Sequence, residues 1–243
     1  MDAFPRLNPP PSLAEQAYAA VKALIFDFML MPGDHFSESD LARQLEVSRT
    51  PLRQALQRLQ REGFLQVFPK QGWQVAPLDF DAFDELYDLR VLLECAAVQR
   101  LCDLEDRPGL QALAALWLLP ENERLRDGVQ VGLQDEAFHR ALVAGSGNRE
   151  MVRVHAEITE RIRIIRRLDF TQTARIAATY DEHARILGAI TRRRSDEAQR
   201  LLRAHIAQSK LEVRRITLER LYRAREQAGL GCKLARQADG SLA

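Results

Sequence analysis

Apolar residues recur with helical spacing over most of this chain, and one interruption of that rhythm divides it. Leu13, Ala17, Val21, Leu24 and Phe28 line one face of a first helix, opened by the capping box Ser12 to Glu15 and stopped by Pro32 and Gly33. Ser37 and Asp40 announce a short second helix in capping-box-like spacing, and Leu41, Leu45 and Val47 supply its packing contacts. In the third helix Leu52, Ala55, Leu56 and Leu59 recur at i, i+3, i+4 and i+7, which predicts one buried stripe. Ser48 suits its N-cap, with a hydroxyl able to accept from a first-turn N–H, and Pro51 falls in the turn where a missing donor costs little. After Gly63 the period changes. FLQVF and WQVA around PKQG read as two short extended segments about a turn.

Beyond Pro77 strand signals disappear. The spacing predicts six helices, about 80–103, 108–118, 129–145, 148–168, 172–192 and 196–226. Pro108 with Gly109 marks one turn, Gly145 and Gly147 end another helix, and Asn148 and Ser195 are N-caps. The fold class is therefore mainly α: an N-terminal winged helix-turn-helix of three helices plus a small β-hairpin, then an all-α antiparallel bundle of about six helices. The expected boundaries are a flexible tail over 1–11, the winged domain over 12–77, the helical domain over 78–228 and a flexible tail over 229–243.

The third helix carries the chemistry of the first domain. With its leucines buried, Thr50, Arg53, Gln54, Gln57 and Arg61 must face outward, and Arg49 lies on the N-terminal shoulder. The N-terminal part of the second helix of a helix-turn-helix meets base edges in the major groove, so Arg49, Thr50 and Arg53 are best placed to read double-stranded DNA. Arginine bonds guanine bidentately and threonine bonds a base or touches a thymine methyl, while both also hold phosphates. Lys70, Gln71 and Gly72 form the tip of the wing and face phosphates or an adjacent minor groove. From Leu41 to Arg61 five arginines stand against Glu46, a net of +4, on a chain whose overall charge is only +1. A local basic patch on a nearly neutral protein suits docking of one face onto DNA.

Composition bounds the rest. The 243 residues are 46% hydrophobic, enough for two cored domains. No apolar run is long enough to span a membrane, and the proline-rich start is unlike a signal, so a cytosolic protein is expected. Cys95, Cys102 and Cys232 lack metal-type spacing and read as reduced thiols. The run Arg192 to Arg194 ends a helix, where cations offset the dipole.

The stretch from Ser12 to Ala76, through MPGDHFSESDLARQLEVSRTPLRQALQRLQREGFL and KQGWQV, resembles the DNA-binding domain of the GntR family of bacterial transcription regulators. By that resemblance Arg49, Thr50 and Arg53 correspond to operator-contacting residues, with Gln71 and Gly72 at the wing tip. Where some members carry an arginine in the preceding helix this chain has Ser39, so that base contact is absent and the operator cannot be borrowed; Arg43 is the candidate phosphate contact there.

In the helical domain Asp135 and His139 stand four apart and share a face, and His183 and His205 lie on two later helices among apolar neighbours. Such a set can join three helices through a cation, with open positions for water or an acid, although an i, i+4 Asp and His pair is more often a surface or capping interaction. The segments LYDLRVLLECAAVQRL, DEAFHRALVAGSGN and DEHARILGAITRRRSDEAQRLLRAHI are similar to the FCD ligand-binding domain of the FadR-type branch, of VanR-like six-helix length. That resemblance implies a divalent metal, Zn, Ni or Mn, at Asp135, His139, His183 and His205, and a small organic acid as effector. Arg90 is either an effector contact or the partner of Glu94 in an intrahelical salt bridge. His35 and His155 have no assigned role.

These readings lead to a ligand-responsive DNA-binding regulator, by default a repressor, that acts as a homodimer on operator DNA and is not an enzyme. The alternatives are a metal-dependent hydrolase, since three His and one Asp can activate water, and a regulator whose metal is structural or is itself the signal. No nucleophile with an adjacent base supports the enzyme.

Overall fold

Two units make up the chain, divided between Asp79 and Phe80. The computed structural model describes residues 10–107, 109–166, 170 and 172–239, so most of the expected N-terminal tail, Pro108 at its turn, the end of the 148–168 helix and the last four residues lie outside it. No helix of the described residues is long and apolar enough to cross a membrane.

The first unit runs α1 (Leu13–Phe26), β1 (His35–Phe36), α2 (Glu38–Gln44), α3 (Arg49–Arg61), β2 (Leu65–Phe68) and β3 (Gly72–Val75). The box Ser12 to Glu15 closes in both directions. Ser37 accepts from the Asp40 backbone N–H at 3.0 Å and donates its hydroxyl to the Asp40 carboxylate, a short-acid version of the same cap. Ser48 has the extended N-cap backbone, but its hydroxyl makes no capping bond. The α3 stripe is buried as the spacing predicts, with Leu52, Leu56 and Leu59 wholly inaccessible.

The face of α1 is the expected one at Ala17 and Val21 and differs at its two ends. Ala17, Val21 and Ile25 form the buried line together with Phe26, while Leu13 is exposed and Phe28 falls beyond the helix with a positive φ. Phe26 meets Phe64 edge-on, ring centres 5.3 Å apart, and this contact draws the later line inward. The expected hairpin is the larger part of a three-stranded antiparallel sheet, order β1-β3-β2. β1 was not expected because two residues carry no readable period; it pairs His35 with Gln74 and Phe36 with Trp73. Gly72 starts the central strand at φ +93, and a Cβ there would sit 2.6 Å from the Phe36 carbonyl oxygen.

The second unit runs α4 (Phe80–Asp103), α5 (Leu110–Trp117), a 3-10 turn at Glu121–Glu123, α6 (Gly128–Gly145), α7 (Arg149–Arg166), α8 (Thr173–Thr191) and α9 (Ser195–Asp239). The last helix continues well past 226, because single glycines such as Gly229 and Gly231 lower helix propensity by only about 1 kcal/mol each. α4 packs on α6, α7 and α9, and α8 packs on α5 and α9. Trp117, Phe138 and Tyr180 form an aromatic knot in the core, with Trp117 4.8 Å from Tyr180 and 5.7 Å from Phe138. Cys95 and Cys102 are buried free thiols in the α4 packing surface. Leu202 and Ile206 of α9 are buried, whereas Leu211 faces out.

The close approach at the base of the wing makes one sharp expectation. Gly72→Ala should destabilise the first unit by roughly 1–3 kcal/mol, through both the strained φ and the clash, seen as an earlier urea transition for this unit than in the parent.

Candidate metal centre and nucleic-acid interface

On α3 the side chains of Arg49, Thr50, Arg53, Gln54, Gln57 and Arg61 are all exposed, as the buried stripe requires. They are not equally free. Arg49 and Arg53 both donate to Glu38, the first residue of α2. Arg58 lies over the Tyr18 ring at 3.8 Å and pairs with Glu62 at 3.0 Å, so this member of the basic patch holds α3 to α1. Arg43 is exposed and paired with Asp40. At the wing tip Lys70 and Gln71 are exposed, with Lys70 at φ +67, while Gly72 is half-buried against β1 and serves the turn.

In the second unit the structure brings Asp135, His139, His183 and His205 together, all buried, with one ligand atom from each lying within 4.8 Å of the others. α6 supplies the first two one turn apart, α8 and α9 the others. The His139 and His205 Nε2 atoms are 3.1 Å apart and those of His183 and His205 3.3 Å. Asp135 Oδ1 lies 3.3 Å from His183 Nε2, 3.6 Å from His139 Nε2 and 3.8 Å from His205 Nε2. Donors bound to one ion at about 2.0–2.2 Å stand roughly 3–3.5 Å apart, so these separations fit a shared cation.

Hydrogen bonding outside the cluster sharpens that fit. His139 Nδ1 is 2.5 Å from Glu94 and His205 Nδ1 is 2.6 Å from Glu182, so each carboxylate accepts the Nδ1 proton and leaves the Nε2 lone pair facing inward. Asp135 Oδ1 is buried and accepts from no donor among the described residues. Lone pairs of Asp135, His139 and His205 therefore converge, and His183, whose Nδ1 has no acceptor among the described residues, turns its Nε2 to the same point. A proton relieves one pair of them; a metal ion satisfies the set.

The surroundings keep the ligands in their binding forms. Burial holds His183 well below the usual imidazole range and His205 at about 4, so both are neutral near pH 7. His183 is stacked on Phe138 at 3.7 Å and met edge-on by Trp117 at 4.1 Å. Burial alone raises the Asp135 pKa, but Arg166 beside it holds the carboxyl well below its ordinary range. Arg166 reaches Asp135 Oδ2 from α7. For Glu94, burial is again opposed and outweighed, by Arg90 and His139.

Arg90 and Glu94 form the intrahelical pair, Nε to Oε1 at 2.6 Å, both wholly buried. The same Glu94 oxygen is 3.0 Å from His155 Nε2, which gives that histidine a structural role. Both Nη atoms of Arg90 lack an acceptor among the described residues, so the salt bridge leaves its forked donors available. Sequence reasoning missed Glu182, Arg166, Phe138 and Trp117. Glu182 and Phe138 had a local signal, their places beside His183 and His139.

A winged reader with an exposed arginine face, carried on the same chain as an all-helical unit, defines a transcription regulator of the winged helix-turn-helix class. Residues 13–75 match the model of bacterial regulatory proteins, gntR family, and residues 85–208 match the FCD domain; the chain belongs to the GntR family of transcriptional regulators and carries an FCD domain. The Nta operon transcriptional regulator of Aminobacter aminovorans is 38% identical over 179 residues, covering 72% of this chain and 82% of that protein. The HTH-type transcriptional regulator YdhC of Bacillus subtilis (strain 168) is 29% identical over 209 residues, 84% of this chain and 92% of its own. A solved GntR transcriptional regulator from Rhodococcus sp. RHA1 superposes with a TM-score of 0.64 at 21% identity over 84% of this chain and 98% of that one, a likeness of fold. These relatives are regulators, which sets the hydrolase alternative aside.

Glu94 neutralises a buried arginine and orients two histidines at once. Glu94→Ala should therefore cost the second unit about 3–5 kcal/mol, the scale for stranding a buried charge, whereas Glu94→Gln should cost less; circular dichroism through a urea titration compares them.

Proposed function

We propose that this regulator responds to a small organic acid bound in the FCD domain beside a divalent metal held by Asp135, His139, His183 and His205. The convergence of three buried imidazoles on a carboxylate oxygen that has no hydrogen-bond partner among the described residues carries the reading. Zn, Ni or Mn suits a set of three imidazoles and one carboxylate, and the ion when bound supplies a Lewis-acidic point that draws an anionic ligand. Arg90, with its two Nη groups uncommitted, is the residue we assign to the effector carboxylate.

Output runs through the reader. Arg49, Thr50 and Arg53 contact the operator, and Arg43, Lys70, Gln71 and Gly72 lie along its backbone-facing rim. Two copies act on a two-fold operator, because a symmetric dimer matches palindromic half-sites. Leu211, Leu218 and Tyr222, exposed along one stripe of α9, favour this helix as the dimer surface. Effector changes operator affinity only if the DNA-binding and released states hold the acid with different affinity. Release of DNA on acid binding, hence repression, is the direction assigned.

A metal with a purely structural role is the second reading. It is favoured by Arg166, whose guanidinium takes the other oxygen of Asp135 and closes that side of the cluster.

Two variants separate the domains. Arg53→Ala should reduce affinity for a duplex selected in vitro by at least tenfold, on the scale of a lost base contact of about 1–3 kcal/mol, with metal content unchanged. His183→Ala should lose metal, measured by elemental analysis, and keep DNA binding. Fluorescence anisotropy of the metal-loaded protein against a panel of mono-, di- and hydroxycarboxylates tests the effector. An acid that shifts operator affinity in the parent and not in Arg90→Lys, which keeps the charge on Glu94 but loses the fork, supports the proposal. No shift with any acid at full metal loading favours the structural reading.

A further inference from the structure

The acid at the start of α2 is out of place on a surface built for DNA. Glu38 stands among the basic residues of the reader, where a carboxylate repels phosphates. Its Oε2 accepts from Arg53 Nε at 3.0 Å, and its Oε1 accepts from Arg53 Nη2 at 2.9 Å and from Arg49 Nε at 3.3 Å. The carboxylate is only 12% exposed, while the side chains of Arg49 and Arg53 remain 61% and 56% exposed. The arginines thus lean on a covered acid and still face solvent.

A guanidinium has two usable donor edges, the side edge of Nε with one Nη and the end edge of both Nη groups. Glu38 takes the side edge of Arg53. The end edge matches the N7 and O6 acceptors that guanine presents in the major groove. An arginine meant only to neutralise phosphate gains nothing from a neighbouring acid, whereas one meant to read a base gains from being held in place before DNA arrives, since less side-chain freedom is lost on binding. Ser39 leaves this stretch of α2 without a guanidinium of its own, so base reading here falls to α3.

We propose that Glu38 is a positioning residue for sequence reading: it braces Arg53, and with it Arg49, so that the end edge of Arg53 meets a guanine in each operator half-site. The rival role is a brake, in which Glu38 holds the arginines back from all DNA alike.

In vitro selection from duplexes with a randomised core, using the full-length protein, separates the two. The parent should enrich a guanine in each half-site, and replacing it with 7-deazaguanine, which lacks the N7 acceptor, should weaken binding roughly tenfold or more, the range of one bidentate pair. Arg53→Ala should abolish that dependence. Glu38→Gln, which keeps the shape and removes the charge, should reduce the guanine preference to within about threefold, leave affinity for random-sequence duplex equal or higher, and leave the melting temperature of the reader unchanged; Glu38→Asp should restore part of the preference. The proposal is overturned if Glu38→Gln selects the same guanine as strongly as the parent, if it gains affinity equally for selected and random duplex, or if 7-deazaguanine costs the parent nothing.

Discussion

A single buried carboxylate holds the second unit in register. Glu94 of α4 binds Arg90 on its own helix, His139 of α6 and His155 of α7, and none of these groups has access to water to compensate for a misplaced partner. Apolar packing tolerates sliding by a fraction of a turn, but a charge without its counterpart in a low-dielectric interior does not. The α4, α6 and α7 helices are therefore fixed to one another by chemistry as well as by shape. His139 passes that constraint on to the cluster, because the proton it gives to Glu94 determines which of its nitrogens faces Asp135.

Asp135 is the point where two cationic demands meet. One oxygen faces the three imidazoles and the other is taken by Arg166. The guanidinium already neutralises the carboxylate, so an ion at Oδ1 would share its negative charge instead of having it outright and would be held more weakly than the ligand count alone implies. The aromatic walls act in the opposite direction. Phe138 and Trp117 exclude water from His183, keep it neutral and leave its lone pair uncontested by a proton. The affinity such a cluster would have for a cation depends on the balance between Arg166 and these walls as well as on the four side chains.

How much of this could be read in the chain depends on how local the cause is. The helix-turn-helix and the hairpin were legible because their signals are short-range: the stripe from Leu52 to Leu59, the cap at Ser37 and the turn around Gly72. The pair Asp135 and His139 was visible for the same reason, as one turn of one helix. Glu94 was visible only as a neighbour of Arg90, since its bonds to His139 and His155 cross 45 and 61 residues. Arg166 looked like any basic residue near a helix end, and nothing in its surroundings announced an acid 31 positions away. β1 escaped because two residues have no period, and the C-terminal end of the α1 face shifts from Leu24 to Ile25 and Phe26 because the contact of Phe26 with Phe64 is tertiary. Helix boundaries, set by glycines and caps, were readable nearly throughout the second unit; α9 was the exception, where glycine weakens a helix without ending it.

The same device appears in both units, a mostly covered carboxylate that organises cationic or protonated partners: Glu38 for Arg49 and Arg53, Glu94 for Arg90, His139 and His155. In each case the acid uses only part of the donor capacity of its partner. Arg53 keeps its end edge and Arg90 keeps both Nη groups. A guanidinium held on one side and open on the other is pre-set for a second acceptor, and the cost of ordering it falls on folding instead of binding. Such groups favour ligands whose acceptors match a fixed position over ligands that merely carry charge. For a DNA-binding regulator, that preference is what separates one site from bulk DNA.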